Sequence, residues 1–339
     1  MTESLALPVV DEDLAGVLRA RMAEVEAALV EHTVSVAPFV TEAARHLLFA
    51  GGKRVRPLLV LMAAATGTGP DPAADVDEIL TAACVVELTH LASLYHDDVM
   101  DEADLRRGTE SANARWDNHV AILTGDFLFS KSSELTSWLG RDAVRIQAET
   151  FTRLVEGQIL ETLGPGPDDD PLEHYLAVVA GKTGSLIATS ALYGARFGGA
   201  SPEVEAALTA YGEKVGVAFQ LSDDILDLAS DSEESGKTPG TDLREGVPTL
   251  PTLIAQRMAA GSTDPADGRL RDLLKGPITD DADHAEALAL LRAHPALAEA
   301  RAYVIGLAHE ANALLDVLPA GPVRQALDDF ATAIADRST

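Results

Sequence analysis

Two five-residue segments, Asp97-Asp98-Val99-Met100-Asp101 and Asp223-Asp224-Ile225-Leu226-Asp227, set carboxylates at one spacing inside otherwise apolar, helix-forming sequence. On a helix the first and last carboxylates of each lie about 6 Å apart along the axis, on one face. Like charges so placed repel, and the pattern therefore calls for a cation among them. Hard oxygen ligands suit Mg²⁺, which takes one or two carboxylates and fills its shell with water and substrate phosphates. With 30 Asp in 339 residues, chance gives roughly 0.2 strict matches. The chain has two, 126 positions apart, which suggests one diphosphate held through metals from both sides. Asp169-Asp170-Pro171-Leu172-Glu173 is a relaxed match that reads instead as a helix start. Asp170 is its N-cap, Pro171 its first residue and Glu173 its capping-box partner.

The segments around the two motifs are rich in Ala and Leu, and β-branched alternation is scarce, so an all-α fold is expected. Helical periodicity runs through 54–66, 73–102, 117–139, 141–163, 171–180, 183–197, 203–230 and 322–337, among others. The gaps are too short to separate domains, and 1–339 reads as a single domain. Ala259–Asp267 reads as the most mobile connection. The net charge of 26 − 54 = −28 argues against nucleic acid, whose binding rests on Lys and Arg, and against an anionic membrane. No apolar run reads as long enough to span a bilayer, and no stable membrane anchoring is expected. One cysteine, Cys84, and an acidic N-terminal segment without a secretory pattern fit a cytoplasmic protein.

In so acidic a chain the few basic residues are informative. Gly51-Gly52-Lys53-Arg54-Val55-Arg56-Pro57 gathers three cations in a glycine-led turn before a helix, a composition that suits phosphate oxygens. Arg106-Arg107 follow the first acid cluster closely enough for a short loop to fold them back over it. Lys182-Thr183 follow Gly181, but Leu176 stands where a P-loop needs glycine, so the nucleotide reading fails. Lys237 lies in a glycine-containing loop after the second cluster and could close as a lid. Glu87-Leu88-Thr89-His90 is a di-iron-type E-x-x-H without the second copy such bundles need. His90, two turns before Asp97, could instead meet a second phosphate, and Gln220 lies one turn before Asp223. These parts support departure of a diphosphate, with the resulting carbocation shielded by an apolar cavity.

Together the motifs resemble the trans-isoprenyl diphosphate synthases, the polyprenyl synthetase family. The likeness runs from about residue 45 to 260, adding Gly125-Asp126, Glu156-Gly157 and Gly236-Lys237 to the segments above. It implies the isoprenoid synthase fold, all-α with helices surrounding a deep central cavity, usually as a homodimer. It also implies that Asp97, Asp98, Asp101, Asp223, Asp224 and Asp227 bind or support Mg²⁺, normally three ions. By the same likeness Arg106, Lys182, Thr183, Gln220 and Lys237 hold the allylic diphosphate. Gly52, Lys53, Arg56, His90 and Arg107 hold isopentenyl diphosphate. Asp97, Asp98, Asp223, Asp224, Lys182 and Lys237 carry the catalysis, which is ionisation, condensation and proton loss. The chain departs from the family at Gln158-Ile159 and Val247-Pro248-Thr249, neither of which touches an assigned residue.

Product length depends on what blocks the cavity. A tail tethered at Asp97 first meets Ala92 and Ser93, one turn upstream, and both are small. In this family an aromatic there stops growth early, so the resemblance implies a long-chain all-trans product, with Phe127 and Phe129 as a deeper floor. The bland account is that Ala92 and Ser93 only allow close packing. Alternatives are a short-chain farnesyl or geranylgeranyl diphosphate synthase and an inactive regulatory homologue. A terpene cyclase is disfavoured by two complete DDxxD motifs.

Overall fold

The structure is a computed structural model that describes residues 11–69, 76–229 and 239–337. Aspartate begins helix after helix in it. Asp11, Asp77, Asp117, Asp170, Asp264 and Asp280 each accept backbone N–H groups that would otherwise lack a partner at a helix start. Negative charge there also complements the helix dipole, so part of the acidic excess serves local structure.

The first helices are α1 (Glu12–His32), α2 (Pro38–Phe49), α3 (Val55–Ala64) and α4 (Glu78–Met100). A small hairpin, β1 (Leu105–Arg106) and β2 (Thr109–Glu110), precedes α5 (Ala112–Arg115), α6 (Asn118–Trp138) and α7 (Arg141–Leu163). Next come α8 (Pro171–Val179), a π-helical turn (Ala180–Gly184), α9 (Ser185–Phe197) and α10 (Pro202–Ala229). The remainder is α11 (Thr241–Glu245), α12 (Leu250–Ala259), α13 (Pro265–Leu273), α14 (Asp281–Ala293), α15 (Pro295–Leu314) and α16 (Pro322–Asp336).

The chain forms two compact units. The first takes the described residues of 1–152, 186–212 and 315–329, and the second those of 153–185, 213–314 and 330–339. In the first, α4 is the central helix, buried almost continuously from Thr81 to Ala92 and packed on α1, α3 and α6. Gly125 lets α6 approach it: a Cβ there would stand 2.3 Å from His96 Nε2 and 3.1 Å from the Ala92 carbonyl. Buried Tyr95 ties α4 to α2, donating to the Ala43 carbonyl at 2.5 Å and accepting from Leu47 N at 3.2 Å. In the second unit α12 packs on α8, α13 and α15. Ser222 Oγ donates to the Ile334 carbonyl at 2.7 Å and fixes the end of α16 against α10.

Three sequence expectations need correction. Residues 171–180 and 183–197 are not two helices with a break at Gly181, because the π turn carries one helical run through it. Ala259–Asp267 contains the start of α13, which Asp264 caps at 2.8 Å. Two helices, Glu78–Met100 and Pro171–Phe197, are long and apolar enough to cross a bilayer by length and composition. They are 72% and 67% buried within the protein, as core helices would be.

Candidate active site

The first acid cluster forms the C-terminal end of α4. Asp97 and Asp98 lie in its last turn and Asp101 is the C-cap, so the third carboxylate stands just past the helix. Carboxylates at this end oppose the helix dipole, and stability gives no reason for three of them. Asp98 is completely buried. Its Oδ1 accepts from Arg106 Nε at 2.6 Å, while Oδ2 is shielded from solvent without a hydrogen-bond partner. Burial pushes the Asp98 carboxyl above its ordinary value, against the pull of Arg106. Arg106 Nη2 also stands 3.8 Å from Asp101 Oδ2.

Arg106 reaches Asp98 because the chain reverses in a two-residue hairpin turn. Arg107 (φ 54°) and Gly108 (φ 75°) both take left-handed backbone, as a type I′ turn requires. The strain of a left-handed arginine is accepted at a position where its side chain is used. Arg107 Nη1 donates to the Leu47 carbonyl at 2.9 Å and also to the Gly51 carbonyl. Gly52 takes φ 138°, which favours glycine, and a Cβ there would lie 2.8 Å from Arg107 Cζ and displace the guanidinium.

Arg54 has a different role from its neighbours. Its side chain is buried, donating to Glu87 Oε1 at 3.0 Å, to Glu26 Oε1 at 2.6 Å and to the Leu48 carbonyl at 2.9 Å. Glu87, the acid of the E-x-x-H, is therefore the counter-ion of Arg54. Arg56 is half-buried and its Nε is shielded without a hydrogen-bond partner. Burial lowers its guanidinium to about 10, which leaves it charged at neutral pH. Burial first, and then Arg56, Arg107, Arg54 and Arg106, hold the His90 imidazole well below its ordinary value. The structure thus brings Gly52, Arg56, His90 and Arg107 together as a concentration of positive charge, and Lys53 is exposed at the turn beside them. This is a place for an anion.

In the second unit Asp223, Asp224 and Asp227 occupy the last two turns of α10, again at the end where the dipole disfavours them. Asp224 is buried, accepts from Gln220 Nε2 at 3.0 Å and is hydrogen-bonded by the Tyr175 hydroxyl. Burial raises its carboxyl to about 6, opposed by those two hydrogen bonds. Asp223 pairs with Arg337 Nη2 at 2.5 Å. Asp227 accepts from the backbone of Thr241 (3.3 Å) and Asp242 (3.2 Å), so it also holds the start of α11.

Lys182 and Thr183 sit in the π turn, which displaces one residue from regular helical register and re-aims side chains. A Cβ on Gly157 would come within 2.6 Å of Lys182 N, so Glu156-Gly157 marks a backbone-to-backbone contact beneath the lysine. Lys182 Nζ pairs with Glu161 Oε2 at 2.6 Å, and Thr183 Oγ1 donates to Gln220 Oε1 at 3.3 Å. Gly236 and Lys237 lie outside the described residues. The sequence missed Tyr175, Glu161 and Arg337, since nothing local in their segments marks them.

The chain-length candidates separate. Ala92 is fully buried opposite Gly125, so close packing accounts for its size. Ser93 is half-buried, with Oγ donating to the His90 carbonyl at 2.9 Å. Phe127 and Phe129 lie about 200° apart around α6 and cannot share one floor. Phe129 packs on Phe151 (4.6 Å between centroids) and His96 (5.5 Å), while Phe127 lies under the Lys131 ammonium at 5.9 Å.

Among the described residues no three carboxylate, imidazole or thiol groups converge into a ready-made metal cage. Mg²⁺ does not require one, because diphosphate oxygens and water complete its shell. The unpartnered Asp98 Oδ2 and the buried Asp224 fit a hard cation. A separate cavity of about 520 Å³, lined by Leu139, Arg141, Arg145 and Arg196 among others, contains no motif residue. Two of its arginines are paired with Glu149 and Glu205.

Residues 37–291 match the polyprenyl synthetase family. The chain belongs to that family. It is 48% identical over 317 residues to nonaprenyl diphosphate synthase of Mycobacterium tuberculosis, covering 94% of this chain and 92% of the relative. A crystal structure of geranylgeranyl pyrophosphate synthase from Corynebacterium glutamicum, complexed with calcium and isoprenyl diphosphate, superposes with TM-score 0.85. It is 45% identical and covers 97% and 98% of the two chains. A decaprenyl diphosphate synthase from Rhodobacter capsulatus gives TM-score 0.84 at 36% identity, covering 97% and 99%. Within the polyprenyl synthetase family the two carboxylate-bearing helix ends and the arginine cluster are the parts to be explained by function, and the all-α isoprenoid synthase fold is shared.

Proposed function

We propose that this polyprenyl synthetase condenses isopentenyl diphosphate with an allylic diphosphate to give a long-chain all-trans polyprenyl diphosphate, using Mg²⁺. The near-full-length identity to a nonaprenyl diphosphate synthase carries the reading of class and product. The small, half-buried side chain at Ser93 agrees with a long product, whereas Ala92 is accounted for by close packing, and the short-chain alternative is the activity named for the geranylgeranyl relative.

When bound, Mg²⁺ neutralises the charge that develops on a departing diphosphate. Asp97, Asp98, Asp101, Asp223, Asp224 and Asp227 would hold or support it, with three ions expected. Arg106, Lys182, Thr183, Gln220 and Lys237 bind the allylic diphosphate. Arg106 and Lys182 exchange carboxylate partners, Asp98 and Glu161, for diphosphate oxygens as substrate and metal arrive. Gly52, Lys53, Arg56, His90 and Arg107 bind the diphosphate of isopentenyl diphosphate. Before substrate binds, burial and its arginine neighbours hold the His90 imidazole well below its ordinary value, so it can offer a hydrogen bond to the anion. Apolar helix faces exclude water from the allylic cation, and proton loss from the condensed product completes the reaction.

We further infer a cytoplasmic homodimer. Exposed apolar side chains on α6 (Ile122, Leu123) and α7 (Val144, Phe151) of the first unit support the dimer reading as surface a second copy would cover. The test of the chemistry is incubation of purified protein with labelled isopentenyl diphosphate, farnesyl diphosphate and Mg²⁺. Label entering a prenyl product is expected, and no condensation with any allylic primer would overturn the reading in favour of a regulatory homologue.

A further inference from the structure

Arg337 stands one position beyond the end of α16. Its guanidinium has three relations. Nη2 pairs with Asp223 Oδ1 at 2.5 Å, Cζ lies 5.3 Å from the Phe219 ring centroid, and Nη1 is shielded from water without a hydrogen-bond partner. Phe219 and Asp223 are one turn apart on α10, so the arginine lies along a single face of the helix that bears the second carboxylate cluster. The placement is built in. Ser222 Oγ holds the Ile334 carbonyl, and Phe330, Ala331 and Ile334 are buried, so the chain is anchored up to three residues before Arg337.

We propose that Arg337 is a displaceable counter-ion for Asp223, holding it in the metal-free enzyme and competing there with the divalent cation. The proposal rests on the reading of Asp223 as a metal ligand. Its contrast with Arg54–Glu87 is informative. That pair is almost wholly buried and hydrogen-bonded on several sides, whereas the side chains of Arg337 and Asp223 are 23% and 38% exposed. Structural ion pairs are as a rule fully hydrogen-bonded, which the pair at Arg337 is not, and a pair at a helix terminus opens at little cost. A guanidinium on Oδ1 neutralises the carboxylate charge that a divalent cation would use and repels the cation itself, so the two compete at Asp223. Diphosphate arriving with the metal offers the displaced guanidinium a pair of oxygens that match its planar fork. The chain would thereby take up metal with diphosphate in preference to metal alone.

The test is titration of full-length protein with Mn²⁺, followed by paramagnetic resonance, with and without inorganic diphosphate. A half-exposed ion pair contributes up to about 1 kcal/mol. Without diphosphate, Arg337→Ala should therefore bind Mn²⁺ up to about fivefold more tightly than wild type. With diphosphate the gain should vanish or reverse. Arg337→Lys should behave as wild type, and Arg337→Ala should add nothing in an Asp223→Asn background. Circular dichroism and thermal melting establish that each variant is folded. If wild type takes up Mn²⁺ with diphosphate and Arg337→Ala has the same Mn²⁺ affinity as wild type throughout, the counter-ion proposal fails alone. If wild type takes up no Mn²⁺ even with diphosphate, the metal reading of Asp223 fails with it.

Discussion

Asp224 illustrates how a buried carboxylate proposed to support a metal opposes folding. Burial outweighs the hydrogen bonds from Tyr175 and Gln220 and pushes its carboxyl up to about 6 from the ordinary 3.8. Between those two values the folded chain binds more protons than the unfolded one, so this group's contribution to stability falls as pH rises. Above pH 6 the cost is fully present, about 3 kcal/mol at most. Asp224→Asn should therefore raise the denaturation midpoint of metal-free protein at pH 7.5, and the gain should fade by pH 4. Arg54 and Arg56 sit two residues apart with opposite expectations. Arg54→Met strands Glu87 in the core and should cost about 3–5 kcal/mol in urea unfolding. Arg56→Ala leaves stability nearly unchanged and should raise the KM for isopentenyl diphosphate by about tenfold or more, the worth of a charge-assisted hydrogen bond. The sequence showed both as cations of one turn. Which one was committed to Glu87 depended on a partner 33 positions away and was not legible there.

At the scale of elements, periodicity and capping made most helices readable. Asp170 caps α8 at 2.8 and 3.2 Å as the Asp-Pro pattern implied, which removed a false third motif. The π turn was invisible, because Gly181-Lys182-Thr183 reads as a break in a pattern that tertiary contact with Gly157 carries through. That contact makes a prediction. Gly157→Ala overpacks the crossing at about 1–3 kcal/mol and shifts Lys182. Isothermal titration should show weaker binding of a non-hydrolysable allylic analogue, with the affinity for isopentenyl diphosphate retained. The hairpin carrying Arg106 and Arg107 was anticipated as a short return loop, but its type I′ geometry and the seat of Arg107 over Gly52 required coordinates. Phe127 and Phe129, the expected deeper floor, stand two residues apart and therefore on nearly opposite sides of α6.

For the whole molecule, the central claim is a synthase whose product outgrows geranylgeranyl. Family and chemistry were legible from the spaced aspartates and the glycine-led basic turn, since these act through local patterns. Product length was less so, because it depends on how helices pack around a growing tail, and Ala92 lies at a crossing where close packing alone accounts for its size. The deciding measurement is mass analysis of the products formed from farnesyl diphosphate, labelled isopentenyl diphosphate and Mg²⁺. Wild type, Asp97→Ala and Asp223→Ala should be compared side by side. The account predicts a ladder ending well beyond geranylgeranyl diphosphate for wild type, reduced at least a hundredfold in either variant, as loss of a charge-stabilising group entails. A wild-type product that stops at farnesyl or geranylgeranyl diphosphate would contradict it.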